Sequence, residues 1–350
     1  TSHWREDGLN GGGVCSGTNS GTGNTIGYTH ADIHTLEYHP TNGALYCGSD
    51  GGFYRYDGST WADRSAGLQI MQFYDIDLDV NATVLIGGTQ DNGTNSINLS
   101  TEVINHDLGA DGFNCLVDPT DGTNWFMTMN SALYYTSNSG ATFSCLSPGG
   151  RIATRAFEMH PTNNQILYAG VANDFRTSSD GGSSWNDVAP TVLTTGMYIA
   201  ATYGVSNTNR IYTTTQGGRV FVTSNAGGTW NDVTNDLNSV SNHTDIALNP
   251  NDSKDSWVTI SGYTSGDKVW YSSDVGVSWT NISGSLPNVP VNCVVIDPNR
   301  TDHSVYIGTD IGVFYRDDNL SDWVPFFHGL PNTEVFDLEI ENNELFVGTY

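Results

Sequence analysis

Short apolar stretches that alternate with polar residues recur along the whole chain, and most stop at Pro, Gly, Asn or Asp. Segments 34–40, 113–119, 156–161, 245–250 and 291–298 show this, each ending on a proline. Period-two alternation puts successive side chains on opposite faces, which is the pattern of a half-buried strand. In several cases a second apolar run follows and closes on glycine, as in 44–48, 166–170 and 305–308. A third run then leads into a polar octapeptide and a fourth leaves it. Four strands joined by tight turns make a meander. No stretch sustains a helical period with caps, so the chain is predicted to be all-β.

The octapeptide sets the architecture. Its form is Ser/Thr-x-Asp/Asn-x-Gly-x-Ser/Thr-aromatic, with copies at 136–143, 178–185, 223–230 and 272–279 and degenerate ones ending at Trp61 and Trp323. The closing aromatics Phe143, Trp185, Trp230, Trp279 and Trp323 lie 42 to 49 residues apart, after a first gap of 82 from Trp61. A period in the low forties is one four-stranded propeller blade. The reading is a β-propeller of four-stranded antiparallel blades filling residues 1–350 as one domain. Eight blades are favoured, with seven as the alternative. In the eight-blade ring, segments 1–10 and 333–350 share the closing blade, which leaves no exposed edge.

Charge narrows the function classes. The 350 residues hold 12 Lys and Arg against 38 Asp and Glu, a net charge of −26. Such a chain repels phosphate, which excludes nucleic acid and anionic membrane surfaces as partners. No apolar run is long enough to span a bilayer. The expected setting is secreted or cell-surface, with polysaccharide or an extracellular protein as partner. Flanking domains and homo-assembly into a structural array remain open. Of the five cysteines, Cys115 and Cys293 fit small buried positions. Pairing cannot be read from spacing, and Cys15 with Cys47 is the combination suggested.

The octapeptides resemble the Asp-box, or BNR, repeat of sialidases, sortilin/Vps10-type receptors and xyloglucanase-type glycoside hydrolases. The residues themselves explain a structural role. Asn138, Asp180, Asn225 and Asp274 can accept backbone N–H groups of their own turns, and the glycine permits positive φ. Phe143, Trp185, Trp230 and Trp279 then pack the hairpin against the blade. A narrower resemblance covers the segments around Asp50 and Asp310, which look like the Thr-Asp-Ile/Val-Gly-Gly-x-Tyr-Arg segment of xyloglucanase-type propellers. In that family the aspartate is catalytic and its partner carboxylate comes from a second propeller. The resemblance therefore implies Asp50 or Asp310 as a catalytic group under a glycosidase alternative. Sialidase chemistry, which needs converging arginines, lacks its Arg-Ile-Pro segment here.

Loops between second and third strands should share one face with loops entering first strands. That face would carry Asp91, Asn130, Asp174 and Gln216 from the former, and Tyr28, His30, Asp32, Asp111 and His243 from the latter. An acidic, amide-rich lining suits sugar hydroxyls or a hard cation such as Ca2+; no cofactor is required. His30, Asp32 and His34 look most reactive. On a straight strand, however, the two imidazoles would sit about 13 Å apart, too far for one metal. They are therefore expected to order a loop or contact ligand, and any metal is left unassigned.

Overall fold

The computed structural model describes residues 29–350 apart from 31, 69, 80, 131, 172–173, 189–197, 204, 216 and 238–241. Tyr28, Gln216 and the N-terminal segment 1–10 lie outside the described residues. The fold is all-β. Among the described residues, seven four-stranded antiparallel sheets follow one another and a two-stranded sheet follows them. In chain order they are sheet I (33–63), II (73–108), III (112–146), IV (152–187), V (198–232), VI (243–281), VII (291–325) and VIII (335–349). Each four-stranded sheet is a simple meander in which every strand pairs with its predecessor. This is the architecture expected of a β-propeller.

The hydrophobic core lies between successive sheets. Tyr212 and Val222 of sheet V pack with Ile246, Val258 and Trp279 of sheet VI. Trp257 and Val269 of sheet VI continue into Val294, Ile307 and Phe314 of sheet VII. The same layering joins sheet VIII to sheet II, where Phe346 packs on Ile76, Leu78 and Leu85. First strands touch in the order II, III, IV, V, VI, VII, VIII and back to II. Sheet I stands beside this cycle, and its first strand, Ile33–Tyr38, is exposed along its length. Residues 335–349 supply two strands, as expected of the C-terminal piece, and they meet sheet II.

One irregularity repeats in every sheet. The pairing of each first strand with its second slips at or next to the loop end of the first strand, for example between Phe73 and Asp75, His243 and Asp245, Val291 and Cys293, and Val335 and Asp337. A bulge inserts one unpaired residue and re-aims the side chains beyond it. Here the extra residues are Tyr74, Thr244, Asn292 and Phe336. The residues beyond the slip include Asp75, Asp245 and Asp337, which face the axis of the cycle.

Each Asp-box is a closed turn. The Asp or Asn takes the backbone N–H four residues on, at 2.8 Å from Ser184 to Asp180 and 2.9 Å from Ser278 to Asp274. Asn138 and Asn225 do the same for Thr142 and Thr229. Gly182 and Gly276 sit at φ 89° and 75°, a conformation that costs glycine little. Cys115 and Cys293 are buried free thiols. Cys47 is also free and buried, so the pairing suggested for it is wrong. Among the described cysteines, Cys145 is disulfide-bonded.

Candidate functional site

In sheets I, II, III and VI a backbone hydrogen bond ties the loop entering the first strand to the hairpin between second and third strands. Asp50 donates to the Asp32 carbonyl at 3.2 Å, Gln90 to Gln72 at 3.0 Å, Asn130 to Asp111 at 2.7 Å and Ser261 to Asn242 at 2.8 Å. This repeated bond brings the two loop sets together in these sheets. Asp91 joins in through its own amide, which donates to the Asp111 carboxylate at 2.8 Å. The sequence-expected residues divide into one group that converges and several that stand apart.

His30, Asp32 and Asp91 converge, each offering a ligand atom within 4.8 Å of the others. His34, by contrast, turns away and bonds the Asp50 carboxylate. The two imidazoles therefore do not converge on one group. Asp91 is raised above the usual carboxylate range by burial and by the charges of Asp111 and Asp50. Asp174 pairs with Arg176 at 2.7 Å, and Asn130 stands exposed. Asp310 accepts from the Asn292 amide at 3.0 Å. His243 is buried, and neither ring nitrogen has a hydrogen-bond partner among the described residues. Burial pushes it down to about 4, so it lies inside the wall as a neutral ring.

Two features of the face were not anticipated. The first is an aromatic cluster. Tyr74 stacks on Phe113 with ring centres 5.0 Å apart, and Phe336 stacks on Tyr350 at 4.9 Å. Tyr74 approaches both Phe336 and Tyr350. Both tyrosine hydroxyls converge on Gln90 Oε1, and Arg151 lies 3.9 Å over the Phe113 ring. Tyr74 and Phe336 are bulge residues, and the bulge is what lifts them onto this face.

The second feature is the axial channel, a cavity of about 460 Å³ lined by Asp75, Asp77, Arg155, Glu158, Asp245, Asp337 and Glu339 among others. These carboxylates stitch the cycle. Asp75 accepts the Cys115 amide at 2.7 Å, Asp77 that of Val117 at 2.6 Å, and Asp245 that of Val294 at 3.0 Å. Asp337 accepts the Ile76 amide at 2.9 Å and so joins sheet VIII to sheet II. Asn114 serves the Arg155 amide in the same way at 2.9 Å. A polar residue at the inward position of first strands was the available signal.

The channel makes stability pH-dependent. Burial raises Asp77 to about 7 and Asp245 to about 6, and lifts Asp75, Glu158 and Glu339 well above their ordinary range. A raised carboxyl holds a proton in the folded state that the unfolded state has released. Its stabilisation is therefore present at low pH and is lost as pH rises through the folded value. His106 and His243, lowered to about 4, oppose this only below their ordinary 6.5. Thermal unfolding is thus expected several degrees higher at pH 6.5 than at pH 8, a difference that Asp77→Asn should shrink. Circular-dichroism melts at the two pH values check this, and a flat profile would contradict it.

Residues 173–290 match the family model described as Sortilin, neurotensin receptor 3. No curated protein matches the chain. An ancestral GH74 enzyme superposes with a TM-score of 0.64 at 18 % identity, over 76 % of this chain and 39 % of that one. The extracellular domain of a hybrid two component system from B. thetaiotaomicron gives 0.57 at 15 % identity, covering 82 % and 39 %. YCF48 bound to D1 peptide gives 0.54 at 14 %, covering 83 % and 92 %. At these identities the likeness is one of fold. The chain spans about two fifths of the first two. Among the described residues, no helix is long and apolar enough to cross a membrane.

Proposed function

We propose that this chain is a binding module whose loop face takes a polysaccharide, in a secreted or cell-surface setting. The observation that carries the reading is the Tyr74–Phe113–Phe336–Tyr350 cluster beside Gln90, Asp91 and Asp111. Sugar rings stack on aromatic faces, and amide and carboxyl oxygens fix their hydroxyls. The acidic surroundings favour a neutral glycan over an anionic one. A glycan array followed by calorimetry on the best hit tests it. Neutral glycans should bind, with about tenfold or greater loss on Tyr74→Ala, roughly what one good stacking contact contributes. Binding only to peptides, of the kind suggested by the YCF48 complex, would replace polysaccharide with a protein partner.

A second reading is supported by the carboxylate geometry. Asp32 and Asp91 offer oxygens within 4.8 Å of each other, close to the spacing of a retaining glycosidase pair, and Asp50 stands near enough to Asp91 to raise it. The GH74 likeness makes β-glucan the substrate to try. Reducing-sugar release that disappears with Asp32→Ala or Asp91→Ala would establish hydrolysis at this pair, with Asp50→Ala and Asp310→Ala as the parallel variants. No release from β-glucans would leave the binding reading in place.

A further inference from the structure

We propose that His30, Asp32 and Asp91 bind a borderline divalent cation of the Zn2+ class, which ties sheet I to sheet II. Their ligand atoms lie within 4.8 Å of one another, and one imidazole with two carboxylates is a donor set that suits such ions. This goes beyond the loop-face reading and stands whether or not a glycan binds.

The site is built from two sheets. His30 and Asp32 precede the first strand of sheet I, and Asp91 lies in the hairpin between the second and third strands of sheet II. His30 is buried, with only 9 % of its side chain exposed. It is pressed against Gly51, where an added Cβ would meet the His30 Cβ at 2.5 Å. The ring is therefore held in place before any ion arrives. On the other side, the Asn92 amide donates to the Asp50 carbonyl at 3.2 Å and keeps the two loops together.

Charge is the second, independent observation. Asp32, Asp50, Asp91 and Asp111 gather here, and among the described residues no Lys or Arg forms an ion pair with any of them. Among the described residues, His30 pairs with Asp32 and His34 with Asp50. Elsewhere the chain does place cations on its carboxylates, as at Asp174, Asp232 and Asp302. Four carboxylates left to two imidazoles form a strongly negative pocket, which a divalent ion neutralises while taking the nitrogen. Ca2+ prefers six to eight oxygens, so the imidazole makes it the weaker ligand.

The test is calorimetric titration of the full chain, first stripped with chelator, with Zn2+ and separately with Ca2+. One Zn2+ per chain is expected, with about tenfold or greater loss of affinity in His30→Ala and in Asp91→Asn. Asp32→Asn serves as the variant at an exposed position, should either of the others fail to fold. His303→Ala removes another imidazole set between carboxylates, Asp255 and Asp318, and is expected to leave the affinity unchanged. Zn2+ should also slow proteolytic loss of sheet I in the wild type but not in Asp32→Asn. Absence of Zn2+ binding, binding indifferent to His30 and Asp32 variants, or tighter binding of Ca2+ than Zn2+ would overturn the assignment.

Discussion

Arg155→Ala is expected to destabilise the fold by about 3–5 kcal/mol, the cost of stranding buried charges. The Arg155 guanidinium sits inside the channel and reaches two other sheets. It donates to the Asn292 carbonyl at 2.9 Å, and its Nε lies 3.7 Å from Asp337. Burial works against its charge, but Asp337 and Asp245 outweigh that and hold it protonated. Without it, Asp75, Asp245 and Asp337 share the channel with no Lys or Arg among its described lining residues. A buried ion pair need not stabilise relative to apolar packing, but removal of one partner does cost. Denaturant unfolding at pH 8 measures the loss. Protonation of the stranded carboxyls should recover part of it at pH 6.5, as should Asp337→Asn added to Arg155→Ala. Arg155→Lys is expected to fall between, because lysine keeps the charge but not the fork. A loss below about 1 kcal/mol, the scale of an exposed ion pair, would mean that the channel cation does not hold the ring.

The second large effect concerns an Asp-box aromatic. Trp279 is buried and its indole N–H donates across to the Val233 carbonyl of the preceding sheet segment at 2.7 Å. Trp279→Ala is expected to cost about 3–5 kcal/mol, as large aromatic truncations in cores do. Trp279→Phe keeps most of the packing and loses the bond, for about 1–2 kcal/mol. Trp185 makes a useful comparison, because it is half-buried and its N–H closes locally on the Gly182 carbonyl at 2.9 Å. Trp185→Ala should therefore cost less than Trp279→Ala. Equal losses would show that the inter-sheet bond contributes nothing beyond the turn itself.

What could be read from sequence was what is local. The Asp180 and Asp274 turns close over four residues, so residue types at fixed spacing suffice to find them. The strands were visible because period-two patterning is set by each segment alone. Meander topology is what puts Asp91 and Asp111 in neighbouring loops, where the Asp91 amide meets the Asp111 carboxylate. The grouping of Asp91 with His30 and Asp32 was not legible, since they meet only across two sheets. The channel was missed for a physical reason. In 74–78 the run Tyr-Asp-Ile-Asp-Leu reads as a strand with its aspartates toward water, yet beyond the bulge at Phe73/Asp75 they face the axis. The slip changes where a polar residue points without changing its place in the pattern. Tyr74 reached the aromatic cluster by the same route.

The bond from the Ile76 amide to Asp337 spans 261 residues, and this bears on how the chain acquires its structure during synthesis. Sheets III to VIII each contact the one before, so they can assemble progressively as they emerge, in the manner of a stacked array. The Asp337 link is different in kind, since the partner of Ile76 is made 261 residues after it. Until then the growing end of the stack and the open side of sheet II both stay uncovered. Contacts of such sequence separation slow folding and leave unpaired apolar faces prone to association. The acidic lining then takes on a second significance, because like charges on every nascent chain keep those faces apart until the hairpin of sheet VIII seats.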